Sequence, residues 1–203
     1  MKKLVIIGAG GHGKVIADIA RHTYDDIVFL DDTPQGDTCL GYPVVGTVAS
    51  YRDYLSNAAF FVAIGNAEMR RTLLHTLLDE GARLVTLVHP RASVADSVTL
   101  GQGTVVMAGA VINPDVKTGI GCIVNTCASV DHDCRLADFV HISVGAHLAG
   151  AVTVGSGTWI GAGAIVKNNV DICDDCMIGA GAVVVKTITE SGTYTGVPAR
   201  RRK

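Results

Sequence analysis

Three short stretches of this 203-residue chain gather side chains that could do chemistry. Asp131-His132-Asp133 sets a histidine between two carboxylates. Either acid could accept a hydrogen bond from one ring nitrogen, fixing the tautomer and leaving the other nitrogen as a base near neutral pH. His141 and His147 follow closely, so three imidazoles around a zinc ion are a second possibility. The run "VIIGAGGHGK" (5–14) spaces Gly8, Gly10 and Gly13 as G-x-G-x-x-G, after an apolar segment and before a helix-like one. Such a turn cradles phosphate, and an acid about twenty residues on, here Asp31 or Asp32, would meet a ribose in a redox enzyme. The third stretch is Cys173-Asp174-Asp175-Cys176, which has the spacing of a metal or redox pair.

The elements that must position these groups change character along the chain. With 48% hydrophobic and 18% charged residues there is ample material for a core, and a net charge of −2 gives no reason to expect nucleic acid or an anionic membrane as partner. Met1-Lys2-Lys3 before Leu4–Ile7 resembles a leader only briefly, because the apolar run stops at Gly8, short of the ~7–15 residues required. No stretch reaches the ~18 apolar residues of a membrane span. The cysteine pattern fits a reducing cytoplasm.

Residues 1–90 alternate strand and helix signals. Strands are expected at Lys3–Ile7, Ile27–Leu30, 60–65 ("FFVAIG") and 83–88 ("RLVTLV"). Helices are expected at Lys14–Arg21 and at Glu68–Glu80, the second capped by Asn66 and ended by Gly81. The passage holding Pro34, Gly36, Gly41, Pro43 and Gly46 reads as loop. The pattern predicts a small, mostly parallel α/β sheet forming one Rossmann-like half domain.

From Val94 the period becomes six. Counting in sixes from Val94 to Val184 gives sixteen positions, of which fifteen are aliphatic and one, Thr118, is not. Four residues after each comes a small or β-branched side chain, among them Ala110, Cys122, Ala128, Cys134, Ala146, Ala164 and Cys176. A hexad repeat of this kind predicts a parallel β-helix, three hexads to a triangular coil, with both series pointing inward. Sixteen hexads make about five coils, a stack of roughly 25 Å at ~4.8 Å per layer.

The frame sorts the candidates. His132 falls in a turn, where its ring is accessible, while His141 and His147 take the last, outward position and read as surface histidines. Three histidines at different corner types do not converge on a zinc ion, so no metal site is expected. Cys122, Cys134 and Cys176 read as buried filler, and Cys173 and Cys176 fall in different parts of the coil as a poor metal pair. A nicotinamide dinucleotide normally uses two mononucleotide-binding halves, and the first ninety residues hold one.

The framed hexads, "VDHDC", "FVHISVGAHLAG" and the closing "GVPAR", preceded by "GAGGHGK…FLDD…AIGN", resemble the hexapeptide acyltransferases. The N-terminal half narrows the likeness to bacterial sugar acetyltransferases, including those acting on UDP-4-amino-sugars and on sialic acid. The resemblance implies a left-handed β-helix over 91–203, homotrimers with active sites at subunit interfaces, and acetyl-CoA as co-substrate between neighbouring coils. It makes His132 the general base with Asp133 as orienting carboxylate, although Asp131 stays open for that task. Asn125 would position the acceptor, His141 would lie beside the acetyl group, and the Gly150 N–H would face the developing oxyanion. The Gly196-Val197-Pro198 turn would lie near the coenzyme's adenine end, with cations such as Lys167 near its phosphates. Gly8, Gly10, Gly11, His12, Gly13, Asp31, Asp32, Gly65 and Asn66 would hold the nucleotide sugar. The implied activity is N-acetylation of a nucleotide-linked, first of all UDP-linked, 4-amino-4,6-dideoxy sugar. Sialic acid O-acetylation and GDP-amino-sugar N-acetylation are the alternatives, and an NAD-dependent oxidoreductase is a distant one.

Overall fold

The computed structural model describes residues 2–202. The chain divides into two compact units, Met1–Leu87 and Val88–Lys203.

The first unit contains β1 (Lys3–Ile7), α1 (Gly11–Ala20), β2 (Asp26–Leu30), β3 (Thr38–Cys39), β4 (Tyr42–Gly46), β5 (Ala59–Val62), α2 (Ala67–Asp79) and β6 (Arg83–Leu84). The sheet order is β3-β4-β2-β1-β5-β6, and every pairing is parallel except that between β3 and β4. β1 lies between β2 and β5, and Leu4, Val5, Ile6 and Ile7 are completely buried. That explains why its sequence is a continuous apolar run rather than an alternating one. α1 buries Ile16, Ala17, Ile19 and Ala20, a helical stripe of core contacts. Asn66 caps α2, its side-chain oxygen accepting from the Met69 N–H at 3.0 Å.

Three local features differ from the sequence pattern. α1 begins at Gly11 rather than Lys14, because Gly11-His12-Gly13 forms its first turn tight against the loop after β1. The expected loop contains a hairpin, β3–β4, turned by Leu40 and Gly41, both at positive φ (50° and 81°). That is the turn geometry the twist of a two-residue hairpin requires, and Leu in its first place hid the signal. The segment 83–88 is two strands rather than one. Arg83–Leu84 ends the α/β sheet, and Leu87–Val88 belongs to the coil's largest sheet.

The second unit is a parallel β-helix of mostly two-residue strands arranged in three sheets. Pairing is eighteen residues apart up to Val184: Ile112 lies on Val94 and under Val130, and Ile142 lies between Val124 and Ile160, whereas the last coil is two residues shorter and lays Cys176 on Gly192. The inward aliphatics and the small residues form one continuous core from Val106 to Ile188. Thr118, the exception in the frame, is buried with its hydroxyl engaged, donating to Gly119 O and accepting from Gly101 N. A polar group at that position is tolerated because its hydrogen bonds are made inside the coil.

Two substitutions test these assignments. Ile112→Ala removes an aliphatic stacked on both sides and is expected to destabilise the protein by about 2–5 kcal/mol, read by urea denaturation. Gly13→Ala would normally strengthen a helix by about 1 kcal/mol. Here a Cβ would lie 2.1 Å from Gly8 O, a backbone atom that cannot swing aside. The melting temperature is therefore expected to fall, and a rise would contradict the packing described.

Candidate active site

The corner that carries His132 is built by a ladder of backbone hydrogen bonds. Asp133 N donates to Pro114 O (3.1 Å), Ala151 N to His132 O (2.9 Å) and Asn169 N to Gly150 O (3.1 Å). Asp133 and Ala151 adopt positive φ (61° and 56°), which turns the chain sharply enough to present the preceding residue at the corner. Pro114, His132, Gly150 and Asn168 therefore stack along one edge, each one coil from the next.

The two aspartates beside His132 have separate jobs. Asp133 Oδ2 lies 2.8 Å from His132 Nδ1. Asp131 Oδ1 accepts instead from Asn113 Nδ2 at 2.7 Å and from the His132 backbone N–H at 2.8 Å. These bonds, the Asn113 one foremost, hold the Asp131 carboxyl below its ordinary range. A carboxylate on Nδ1 assigns the ring proton there and leaves the lone pair on Nε2. The hydrogen bond to Asp133, followed by the charge of Asp131, raises the imidazole above its ordinary pKa. The side chain is 59% exposed, so Nε2 can meet a substrate. Gly150 sits directly against that edge of the ring: a Cβ there would be 2.6 Å from both Cε1 and Nε2. Only glycine leaves the imidazole its place.

His141 is not the surface residue its outward position suggests; it is 8% exposed. Trp159, eighteen residues on, stacks on its ring with centroids 4.8 Å apart. The indole is itself fixed by Nε1 donating to Ser143 Oγ at 2.5 Å. Asn125 Nδ2 lies 3.2 Å from His141 Nε2, and Asn125 Oδ1 accepts from Thr126 N at 2.8 Å. Because the amide oxygen is occupied by an N–H, the amide nitrogen donates, and His141 Nε2 is the acceptor of a neutral ring. His147 is exposed and pairs with Ser129 Oγ at 2.8 Å through Nδ1. The three histidines thus occupy three different environments, and no group of three metal-ligating side chains occurs among the described residues.

One strand face separates the two polar clusters within a chain. Asn125 precedes the strand Ser129–Val130, and His132 follows it. His132 and the Asn125–His141 pair therefore flank the same sheet without meeting. Lys167 is exposed two coils beyond Asp131 on the His132 corner. Gly196 (φ 94°), Val197 (73% exposed) and Pro198 form a turn at the coil's far end, closed by Val183 N to Gly196 O and Ala199 N to Val183 O.

In the first unit the glycine turn lies at the carboxyl ends of β1, β2 and β5, where open α/β sheets bind ligands. Gly8 has φ 105° and abuts Ala63 O, whereas the outer sides of Gly10, Gly11 and Gly65 are open. Asp31 lines a cleft of about 250 Å³ with Pro34, Gly36 and Thr47. Its Oδ2 accepts from Ala9 N at 2.6 Å and its Oδ1 from Thr33 N at 2.8 Å, so the carboxylate ties β2 to the glycine turn. Asp32 Oδ1 accepts from Val48 N at 2.9 Å, and the residue lines an apolar cleft of about 310 Å³ with Val48, Ile64, Met69 and Leu73. His12 is largely covered. Burial, then the charge of Arg70, lowers its pKa to about 4, so the ring is neutral. Its Nε2 has no hydrogen-bond partner among the described residues. Arg70 is 1% exposed and donates from Nη1 to Ile64 O (2.9 Å) and Gly65 O (2.8 Å).

Asn113, Trp159, Ser143 and Arg70 were not singled out from the sequence. For Asn113 and Trp159 a signal existed: they stand eighteen residues from Asp131 and His141. Counting in sixes finds the core, and counting in eighteens finds the neighbours of a site residue.

Comparison with known proteins agrees with both halves. Residues 3–77 match the PglD N-terminal domain model, and residues 151–186 match the bacterial transferase hexapeptide model (six repeats). GDP-perosamine N-acetyltransferase of Escherichia coli O157:H7 is 30% identical over 164 residues, 77% of this chain and 74% of that protein. UDP-N-acetylbacillosamine N-acetyltransferase of Bacillus subtilis (strain 168) is 38% identical over 115 residues, 53% of this chain and 52% of that protein. The acetyltransferase domain of PglB from Neisseria gonorrhoeae FA1090, solved in complex with acetyl coenzyme A, superposes with a TM-score of 0.96 at 44% identity, covering 99% of both chains. The likeness spans both the α/β unit and the β-helix, and the chain belongs to the hexapeptide-repeat sugar N-acetyltransferases.

Proposed function

We propose that this acetyl-CoA-dependent enzyme acetylates the 4-amino group of a UDP-linked 4-amino-4,6-dideoxy sugar. The observation that carries the reading is the His132–Asp133 pair, with a lone pair left on Nε2 and Gly150 beside it. As the amine attacks the thioester carbonyl, Nε2 takes its proton. Asp133 holds the ring in the required tautomer and stabilises the imidazolium that results. The Gly150 N–H donates to the carbonyl oxygen as negative charge builds there, an interaction worth about 3–4 kcal/mol at comparable acyl-transfer sites. The tetrahedral adduct then expels the coenzyme thiolate, which receives the proton from His132. No covalent enzyme intermediate is needed. Cys134 is buried and its thiol is raised by desolvation, which is no environment for a nucleophile.

Asn125 and His141 belong to the same site by way of a second chain. They lie across a strand face from His132, so a homotrimer whose faces meet side by side brings one chain's His132 to its neighbour's Asn125. Lys167 and the Gly196–Pro198 turn take the phosphate and adenine ends of the coenzyme. Gly8, Gly10, Gly11, His12, Gly13, Asp32, Gly65 and Asn66 form the nucleotide handle, with the unpaired His12 Nε2 as donor or acceptor to the sugar diphosphate. Asp31 contributes by shaping the turn. A GDP-linked amino sugar is the second reading, favoured by the likeness to GDP-perosamine N-acetyltransferase across most of the chain.

Four experiments test this. Coenzyme release is expected with a UDP-4-amino-sugar in preference to GDP-perosamine and not with sialic acid; no turnover on either amino sugar would sink the reading. His132→Ala should lower kcat by at least ~10²-fold. Because the base must be unprotonated and its pKa is raised, kcat/KM should rise with pH through an inflection above the ordinary histidine value of 6.5. Asp133→Asn should move that inflection to lower pH while lowering the plateau. Mixing inactive His132→Ala and Asn125→Ala chains after dissociation should restore activity at up to about a quarter of the sites, if each site draws on two subunits. No recovery on mixing would argue for sites within single chains.

A further inference from the structure

The final complete coil contains a pair of thiols that acetyl transfer does not use. Strand Asp171–Ile172 ends at Cys173, and Cys176 opens the strand Cys176–Ile178. Hexad spacing assigns these residues to different parts of the coil, yet the turn between them, with Asp175 at φ 53°, brings the sulfurs to 3.5 Å. One hydroxyl holds both ends of that turn. Thr158 Oγ1 donates to Cys173 O at 2.9 Å and accepts from Cys176 N at 3.0 Å. Equivalent turns of the earlier coils carry Gly101, Gly119, Ala137 and Gly155 where this one carries Cys173. Cysteine also occupies the second place in one of them, Cys122, but there it faces a glycine. Among the described residues, two thiols meet only here.

We propose that Cys173 and Cys176 are a reversible redox pair that closes an intramolecular disulfide when a small-molecule disulfide such as glutathione disulfide is present. The Cys173 thiolate, the more exposed of the two, attacks one glutathione sulfur and expels glutathione thiolate, leaving a mixed disulfide. Cys176 then attacks the Cys173 sulfur, the second glutathione leaves as thiolate, and it takes up the proton Cys176 gives away. In sum the protein dithiol loses two hydrogens and one glutathione disulfide becomes two glutathione molecules. Burial, then the hydrogen bond with Cys173, pushes the Cys176 thiol up to about 12, so before reaction it stays protonated. The backbone is already held by Thr158, and closing the bond needs rotation of the side chains rather than refolding of the coil.

The test uses the folded full-length chain and a readout independent of acetyl transfer. The protein is incubated with glutathione disulfide, acid-quenched, unfolded, alkylated and digested with trypsin. The tryptic peptide 168–186 contains these two cysteines and no others. It is expected two hydrogens lighter and free of alkyl label and glutathione. In Cys176→Ser the same peptide should keep glutathione on Cys173, and in Cys173→Ser it should be recovered with Cys176 alkylated. Recovery of the wild-type peptide doubly alkylated, or with glutathione stably attached at Cys173, would overturn the proposal; this outcome is read on the native protein and does not depend on either variant folding.

Discussion

The β-helical half rests on one repeated hydrogen bond, from the N–H of a residue to the carbonyl seventeen residues ahead. Ile123 to Val140 at 2.9 Å, His141 to Thr158 at 3.0 Å and Arg135 to Val152 at 2.9 Å are three cases among many. Because the bond recurs around each regular coil, a side chain there sits on the one eighteen residues away. The inward columns become a core, and the outward and corner columns become sites. His132 does not depend on a flexible loop for its place; its turn is pinned by coils on either side. That rigidity suits general-base catalysis, in which the nitrogen must lie within hydrogen-bond reach of the proton it removes.

The same stacking sets the electrostatics. Asn113, one coil from Asp131, takes up one oxygen of that acid and keeps it engaged, which leaves Asp133 as the partner on the ring nitrogen. Trp159 covers His141 from the neighbouring layer and converts an outward position into a buried one. In both cases the decisive neighbour is remote in sequence and adjacent in space.

This explains which features were legible in the sequence. A six-residue period of aliphatics is dictated by the interior, so the β-helix and its buried cysteines could be read from single residues. The accessibility of His132 followed from its turn position. The burial of His141 and the meeting of Cys173 with Cys176 did not, since the first depends on the size of a side chain in another layer and the second on a left-handed turn residue. In the α/β unit the apolar runs announced β1, β2 and β5, and Asn66 announced α2. The β3–β4 hairpin was hidden because prolines and glycines weigh toward loop, while the fold needed only two residues at positive φ. The distance of Asp31 from the glycines marks it as a residue of that turn. Its bond to the Ala9 N–H was not legible, because it depends on how the glycine turn folds back over β2.

The corner ladder through Pro114, His132, Gly150 and Asn168 has a consequence for how such an enzyme can diversify. A residue lost or gained within the regular coils would slide the later layers out of phase, moving aliphatics outward and the His132 corner inward; the departure from eighteen comes in the last coil, where Cys176 pairs with Gly192. New specificity therefore has to arrive by exchanging side chains at fixed addresses. On this ladder the His132 ring holds position 150 to glycine, which leaves Pro114 and Asn168 as the rungs open to exchange.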